Sequence, residues 1–282
     1  MKRKIIAIVT SLWLIVPVAL VCRVGYAYQQ VREIPPQVLA TVPFAQETGN
    51  IAMSLATGKG FSSPTRHDTG PTAWLPPIYP LLIAAIFRAF GIFTLHAFYA
   101  AVALNILCSV ATCVPIYFAA KRIAGAGVAT LAAWLWVFYP SAVVMPFQWI
   151  WETSLSALLA ATILWATIAL AGSRRTPDWC AYGLLWGLSL LTNPALGAVL
   201  PFLLGWLVYS QQRDPEARGR FAKHGLALGV AILCCVPWTI RNYAEFHRLI
   251  PLRSNFPFEL WIGNNEVFDP HSPDINARVT RY

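Results

Sequence analysis

Between Glu47 and Pro80 the chain reads ETGNIAMSLATGKGFSSPTRHDTGPTAWLPPIYP: an acid, a basic-acidic cluster, glycines and a Trp-Pro-Pro corner, set between apolar segments. Long ordered loops on a rigid scaffold are where chemistry tends to sit. If ETGNIAMSLATG is helical, residues 47, 51, 54, 55 and 58 share a face, so Glu47 lines up with Ile51 and Leu55. Such an acid is either a snorkelling edge residue or a placed carboxylate with a raised pKa. In the second case it can act as general base on an acceptor hydroxyl. Gly58 and Gly60 suit the stop of this helix.

Three further groups have the right chemistry. Arg66-His67-Asp68 is either a solvated Asp-Thr-Gly turn or a substrate contact with Asp68 as a second acid. His67 beside Asp68 imitates a dyad, but sequence neighbours seldom point at each other. Glu152 follows Trp149 and Trp151; it either caps the helix behind it or belongs to a site. Arg241 closes the last apolar run in PWTIRNY, either snorkelling at a helix end or binding phosphate bidentately. Asn242 with Lys59 or Arg66 would assist it.

These residues must be positioned by membrane helices. The chain has 282 residues, 57% hydrophobic and only 12% charged, against about 25% charged in soluble domains. Several apolar runs approach the roughly 20 residues that a span needs. The fold class is therefore an all-α polytopic membrane protein, one transmembrane domain over residues 1–282. The net charge of +9 is scattered at helix ends, which speaks for topology rather than nucleic acid. The six cysteines form no CxxC pair and read as small buried hydrophobes.

MKRK places the N-terminus in the cytoplasm and makes Ile5–Cys22 an uncleaved first span that exits near Arg23. Leu95–Ala119 then crosses inward to Lys121-Arg122. Gly127–Val144 goes out, Thr153–Ala171 returns, and His224–Trp238 goes out again. Tyr79–Phe90 rises only about 18 Å as a helix, too short to cross, so it lies along the outer interface. Cys180–Tyr209 reads as two short helices meeting at Asn193-Pro194. A first outer loop over 24–78 and an outer tail over 241–282 remain, in a multi-pass protein of the cell (inner) membrane.

The order of ETGNIAMSLATGKGFSSP, GPTAWLPPIYPLLIAAIFRAFG, LLTNPA, PWTIRNY, RLIPLRSNF and ELWIGNN resembles the GT-C glycosyltransferases. More narrowly it is similar to bacterial members of the protein O-mannosyltransferase-like group, glycosyltransferase family 39. The resemblance covers most of the chain. It implies a helical core with interfacial helices in the first outer loop. It also implies transfer of a sugar, with inversion, from a polyprenyl-phosphate carrier at the outer face of the bilayer. The acceptor stays unspecified. Many relatives carry Asp-Glu where this chain has Gln46-Glu47, so Glu47 becomes the base or acceptor-orienting group. Arg241 becomes the partner of the carrier phosphate, and Glu152 matches an acid at the start of the same span in relatives. Relatives usually continue with further spans after the W-x-G-N-N region; this chain stops at Tyr282 and is expected to be a fragment or a truncated reading frame. No cluster requires a metal, although a divalent ion bridging phosphate and Asp68 stays open. The rival classes are a transporter or lipid flippase, which would need ionisable residues within the spans, and a non-catalytic relative. The mid-span positions are nearly free of charge, with Asn105 and Asn193 the main polar exceptions.

Overall fold

The computed structural model describes residues 12–34, 44–65, 67–212 and 221–264. Among them the regular structure is helical, with a single isolated antiparallel bridge, Ser62 to Pro71. The helices are α1 (Leu12–Glu33), α2 (Gln46–Ala56), α3 (Ile78–Phe90), α4 (Leu95–Ala111), α5 (Cys113–Phe138), α6 (Pro140–Gln148), α7 (Thr153–Leu170) and α8 (Thr176–Leu190). After a 3-10 turn (Pro194–Val199) come α9 (Leu200–Gln212), α10 (Phe221–Phe246) and α11 (Phe256–Gly263). Among the described residues, five segments are long and apolar enough to cross a membrane: Leu12–Glu33, Leu95–Phe138, Thr153–Leu170, Pro194–Gln211 and Ala222–Phe246. The chain is an all-α polytopic membrane protein.

Helix α1 differs from the sequence expectation. It does not stop near Arg23 but runs on to Glu33, so residues 24–33 are helix rather than loop. Arg23 is fully buried in its middle. Its guanidinium donates to Ser109 Oγ at 2.8 Å and to the carbonyls of Ala19, Val137 and Trp136 at 3.1–3.3 Å. Two of those carbonyls belong to the last turn of α5, where Trp136 O also accepts from Tyr139 N. A charge met by the end of a neighbouring helix does not terminate its own. Arg23 is thus a charged group inside a span, which the expectation of charge-poor spans misses.

The chain reverses at Gly125, whose φ of 82° is open to glycine without strain. This is just past Lys121-Arg122, where the charge pattern ends the inward crossing. The returning half of α5 and α6 lie antiparallel against α4. Trp136 Nε1 donates to Ser109 O, Ser109 Oγ to Ala142 O, and Asn105 Nδ2 to the carbonyls of Pro146 and Trp149. The expected single return segment is broken at Tyr139-Pro140, where Pro140 opens α6.

Helix α3 has the short length read from its sequence. The Asn193-Pro194 break is present too: Asn193 Oδ1 accepts from Ala195 N and starts the 3-10 turn. Helix α10 packs tightly on α8 because glycines stand at the crossing. A Cβ on Gly183 would lie 2.3 Å from Ala227 O, and one on Gly187 would lie 2.4 Å from Cys234 Cβ. Small residues at such contacts let two backbones approach, which suits helices that must associate in lipid. This packing aims the C-terminal end of α10, with Arg241 and Asn242, at the loop between α2 and α3.

Candidate functional site

Glu47 sits in the first turn of α2, where an acid complements the helix dipole. The approach to that turn is unusual. Ala45 (φ 64°) and Gln46 (φ 41°) both occupy the left-handed region, which costs about 1–3 kcal/mol each for residues with a Cβ. Packing holds them there. Phe44 makes edge contacts with Phe87, Phe93 and Phe98 at 5.5–5.6 Å, and Gly49 lies so close to Phe44 that a Cβ would be 2.2 Å from its carbonyl oxygen. Helix α2 ends as its glycine foretells. Gly58 (φ 82°) donates to Leu55 O and Lys59 N to Ser54 O, the paired bonds of a Schellman cap.

Glu152 immediately precedes α7, and its side chain makes no capping hydrogen bond. It is half-buried. Desolvation pushes its carboxyl above the ordinary carboxylate range, opposed in part by its own backbone amide and by Arg253, and reinforced by the charge of Glu47. The charges of Glu47, from α2, and Arg253, from the segment after α10, thus both act on Glu152 ahead of α7. Under them, Tyr79 on α3 donates to Asn105 Oδ1 at 2.8 Å, and burial pushes its phenol up, keeping it a neutral donor.

The second group lies at the neck of the loop. Thr72 N donates to Phe61 O and Ser63 N to Gly70 O, closing residues 61–72 on themselves. Asp68 accepts from Lys59 Nζ at 3.2 Å and from Ser63 Oγ at 3.1 Å. The Lys59 bond leads in holding its carboxyl below the usual range. Both members of the Lys59–Asp68 pair are exposed (61% and 69%), so solvent screens it. Arg66 lies outside the described residues.

Arg241 reaches across the neck. Its Nη2 donates to Phe61 O at 2.8 Å; its Nη1 donates to Thr72 O at 2.6 Å and to Asn242 Oδ1 at 3.1 Å. The rings of Phe61, Trp238 and Phe246 stand 5.2–5.7 Å from the guanidinium carbon, a cation–π setting. Asn242 is fully buried and donates to Ile250 O at 2.9 Å. Trp238 Nε1 donates to Leu252 O and Thr239 Oγ1 to Pro251 O. Three consecutive carbonyls are thus held by α10, and the next residue is Arg253. Beyond it, Ser254 N donates to Ala73 O in the loop.

The structure therefore separates the sequence candidates. The charge of Glu47 acts on Glu152; Lys59 and Asp68 tie the loop; Arg241 and Asn242 hold loop and tail. Arg253 is the residue that sequence reasoning passed over. Its signal was there in RLIPLRSNF, a second cation in the tail beside a short polar turn. Among the described residues no group of three or more His, Cys, Asp or Glu is placed to hold a metal ion.

The apolar spans are those of a multi-pass membrane protein, and its family makes it a membrane glycosyltransferase that uses a lipid-linked sugar donor. The chain belongs to the dolichyl-phosphate-mannose-protein mannosyltransferase family, whose sequence model matches residues 75–240, more than half of its length. Glu152 lies within the matched segment; Glu47, Lys59, Asp68, Arg241, Asn242 and Arg253 lie outside it. No match was found among curated proteins or among solved structures.

Proposed function

We propose that this protein moves a sugar from a polyprenyl-phosphate carrier to an acceptor hydroxyl at the outer face of the cell membrane, with its N-terminus in the cytoplasm. What supports the proposal is the family, together with the charges of Glu47 and Arg253 that both act on a desolvated Glu152. Glu47 takes the proton of the acceptor hydroxyl. The freed oxygen attacks the anomeric carbon from the face opposite the carrier. The bond from that carbon to the phosphate oxygen breaks, and its electron pair leaves with the carrier phosphate. Glu152, whose charged form burial disfavours, orients a hydroxyl of sugar or acceptor. Arg253 stabilises the departing phosphate, an interaction strengthened where water is scarce.

Native mass spectrometry of the detergent-released protein, followed by transfer assays with polyprenyl-phosphate hexoses, tests this reading. The expected result is a co-purified carrier or its sugar ester, and transfer that falls about 100- to 10,000-fold in Glu47→Gln while the carrier stays bound. A protein that holds no carrier, or a Glu47→Gln form as active as wild type, would overturn it.

A further inference from the structure

We infer that Arg241 is a positioning residue: it clamps the first loop to the C-terminal segment and so fixes the segments that carry Glu47 and Arg253 relative to each other. The inference rests on the reading of those two residues as the reacting pair. End-on bidentate binding of phosphate uses the edge of the guanidinium formed by Nη1 and Nη2. In Arg241 both of these nitrogens are engaged with protein: Phe61 O, Thr72 O and Asn242 Oδ1. The two carbonyls are the ends of the loop neck, already joined by the Thr72 to Phe61 bond.

From the neck, the position of the loop passes to Glu47 by short links. The Schellman cap joins Phe61 to α2 through Gly58 and Lys59, and Asn50 Nδ2, three residues on from Glu47, donates to Pro64 O at 3.0 Å. On the other side, Asn242 receives the Arg241 bond and passes one to Ile250 O, while Trp238 and Thr239 hold Leu252 O and Pro251 O. The Ser254 to Ala73 bond closes the ring of contacts. One guanidinium therefore stands where both supports of the site converge. A lysine keeps the charge but has a single nitrogen, so it cannot hold two carbonyls and Asn242 in fixed relative positions.

The test compares wild type, Arg241→Lys and Phe61→Leu, each as the full chain in detergent. Three readings are taken: kcat and KM for a polyprenyl-phosphate hexose, carrier retention by native mass spectrometry, and amide hydrogen exchange of residues 61–73 and 250–254. For Arg241→Lys we expect kcat to fall about 100-fold, the scale of a misplacement near 1 Å. KM and carrier retention should stay close to wild type, and exchange should rise in both segments and nowhere in α4 or α8. Phe61→Leu, which removes one ring from the guanidinium and leaves its charge, should move the same readings in the same direction by a smaller factor.

Loss of carrier with unchanged exchange would make Arg241 a phosphate ligand and overturn the inference. So would unchanged kcat and exchange in Arg241→Lys, or, if that variant does not fold, a Phe61→Leu protein identical to wild type. A wild-type protein without transferase activity would sink the proposed function instead, and the exchange readings would still decide the clamp.

Discussion

At the scale of single residues, the same side-chain type does opposite things here according to its surroundings. Asp68 and Glu152 are both acids near the loop end of the bundle. Asp68 is exposed and bonded to Lys59 and Ser63, so its charged form is favoured. Glu152 is half-buried and feels the charge of another carboxylate, so its charged form is disfavoured. The second case leaves a mark on stability. The folded state holds the Glu152 proton to higher pH than the unfolded chain does, where the group ionises near its ordinary value of 4.5. Folding stability therefore falls as pH rises from about 4.5 through the raised value. Glu152→Gln removes this dependence. In melting curves taken from pH 4 to 8, the variant should gain on wild type as pH rises and stay ahead at pH 8. Parallel curves for the two proteins would mean that Glu152 is not destabilised by its site.

At the scale of elements, α2 is the piece whose seat matters most, because Glu47 is in its first turn and its approach is strained at Ala45 and Gln46. Gly49→Ala places a Cβ 2.2 Å from Phe44 O and 3.1 Å from Phe93. Overpacking of this kind costs about 1–3 kcal/mol, and the strain falls on the backbone that carries Glu47. The expected result is a lower Tm together with a drop in kcat out of proportion to it. Gly25 on α1 has open space around its missing Cβ, so Gly25→Ala should leave activity alone and raise stability by about 0.5–1 kcal/mol. Equal effects of the two substitutions would refute the close seat of α2. Local elements of this sort were legible in the sequence, since their causes are local. The stop at Gly58, the shortness of α3, the reversal after Lys121-Arg122 and the break at Asn193-Pro194 each announce themselves within a few residues.

At the scale of the whole molecule, what stayed hidden was any charge satisfied by backbone far along the chain. Arg23 is bonded to carbonyls more than a hundred residues away, and Arg241 to carbonyls 169 and 180 residues away. A carbonyl is the same in every residue, so no side-chain pattern points to it. From sequence, Arg23 therefore reads as the end of a span, and Arg241 as either a snorkelling helix-end residue or a phosphate ligand. The charge pattern does support a global orientation, and it can be checked. The loop around Thr69 is exposed, as is Arg175 between α7 and α8. The positive-inside bias puts Arg174, Arg175 and Lys223 in the cytoplasm and the loop outside. In a background with the six native cysteines replaced by serine or alanine, Thr69→Cys should react with a membrane-impermeant maleimide on intact cells. Arg175→Cys should react only after permeabilisation. The reverse pattern would place Glu47, Glu152 and Arg253 on the cytoplasmic side, and the sugar donor would then have to be presented from the inner leaflet.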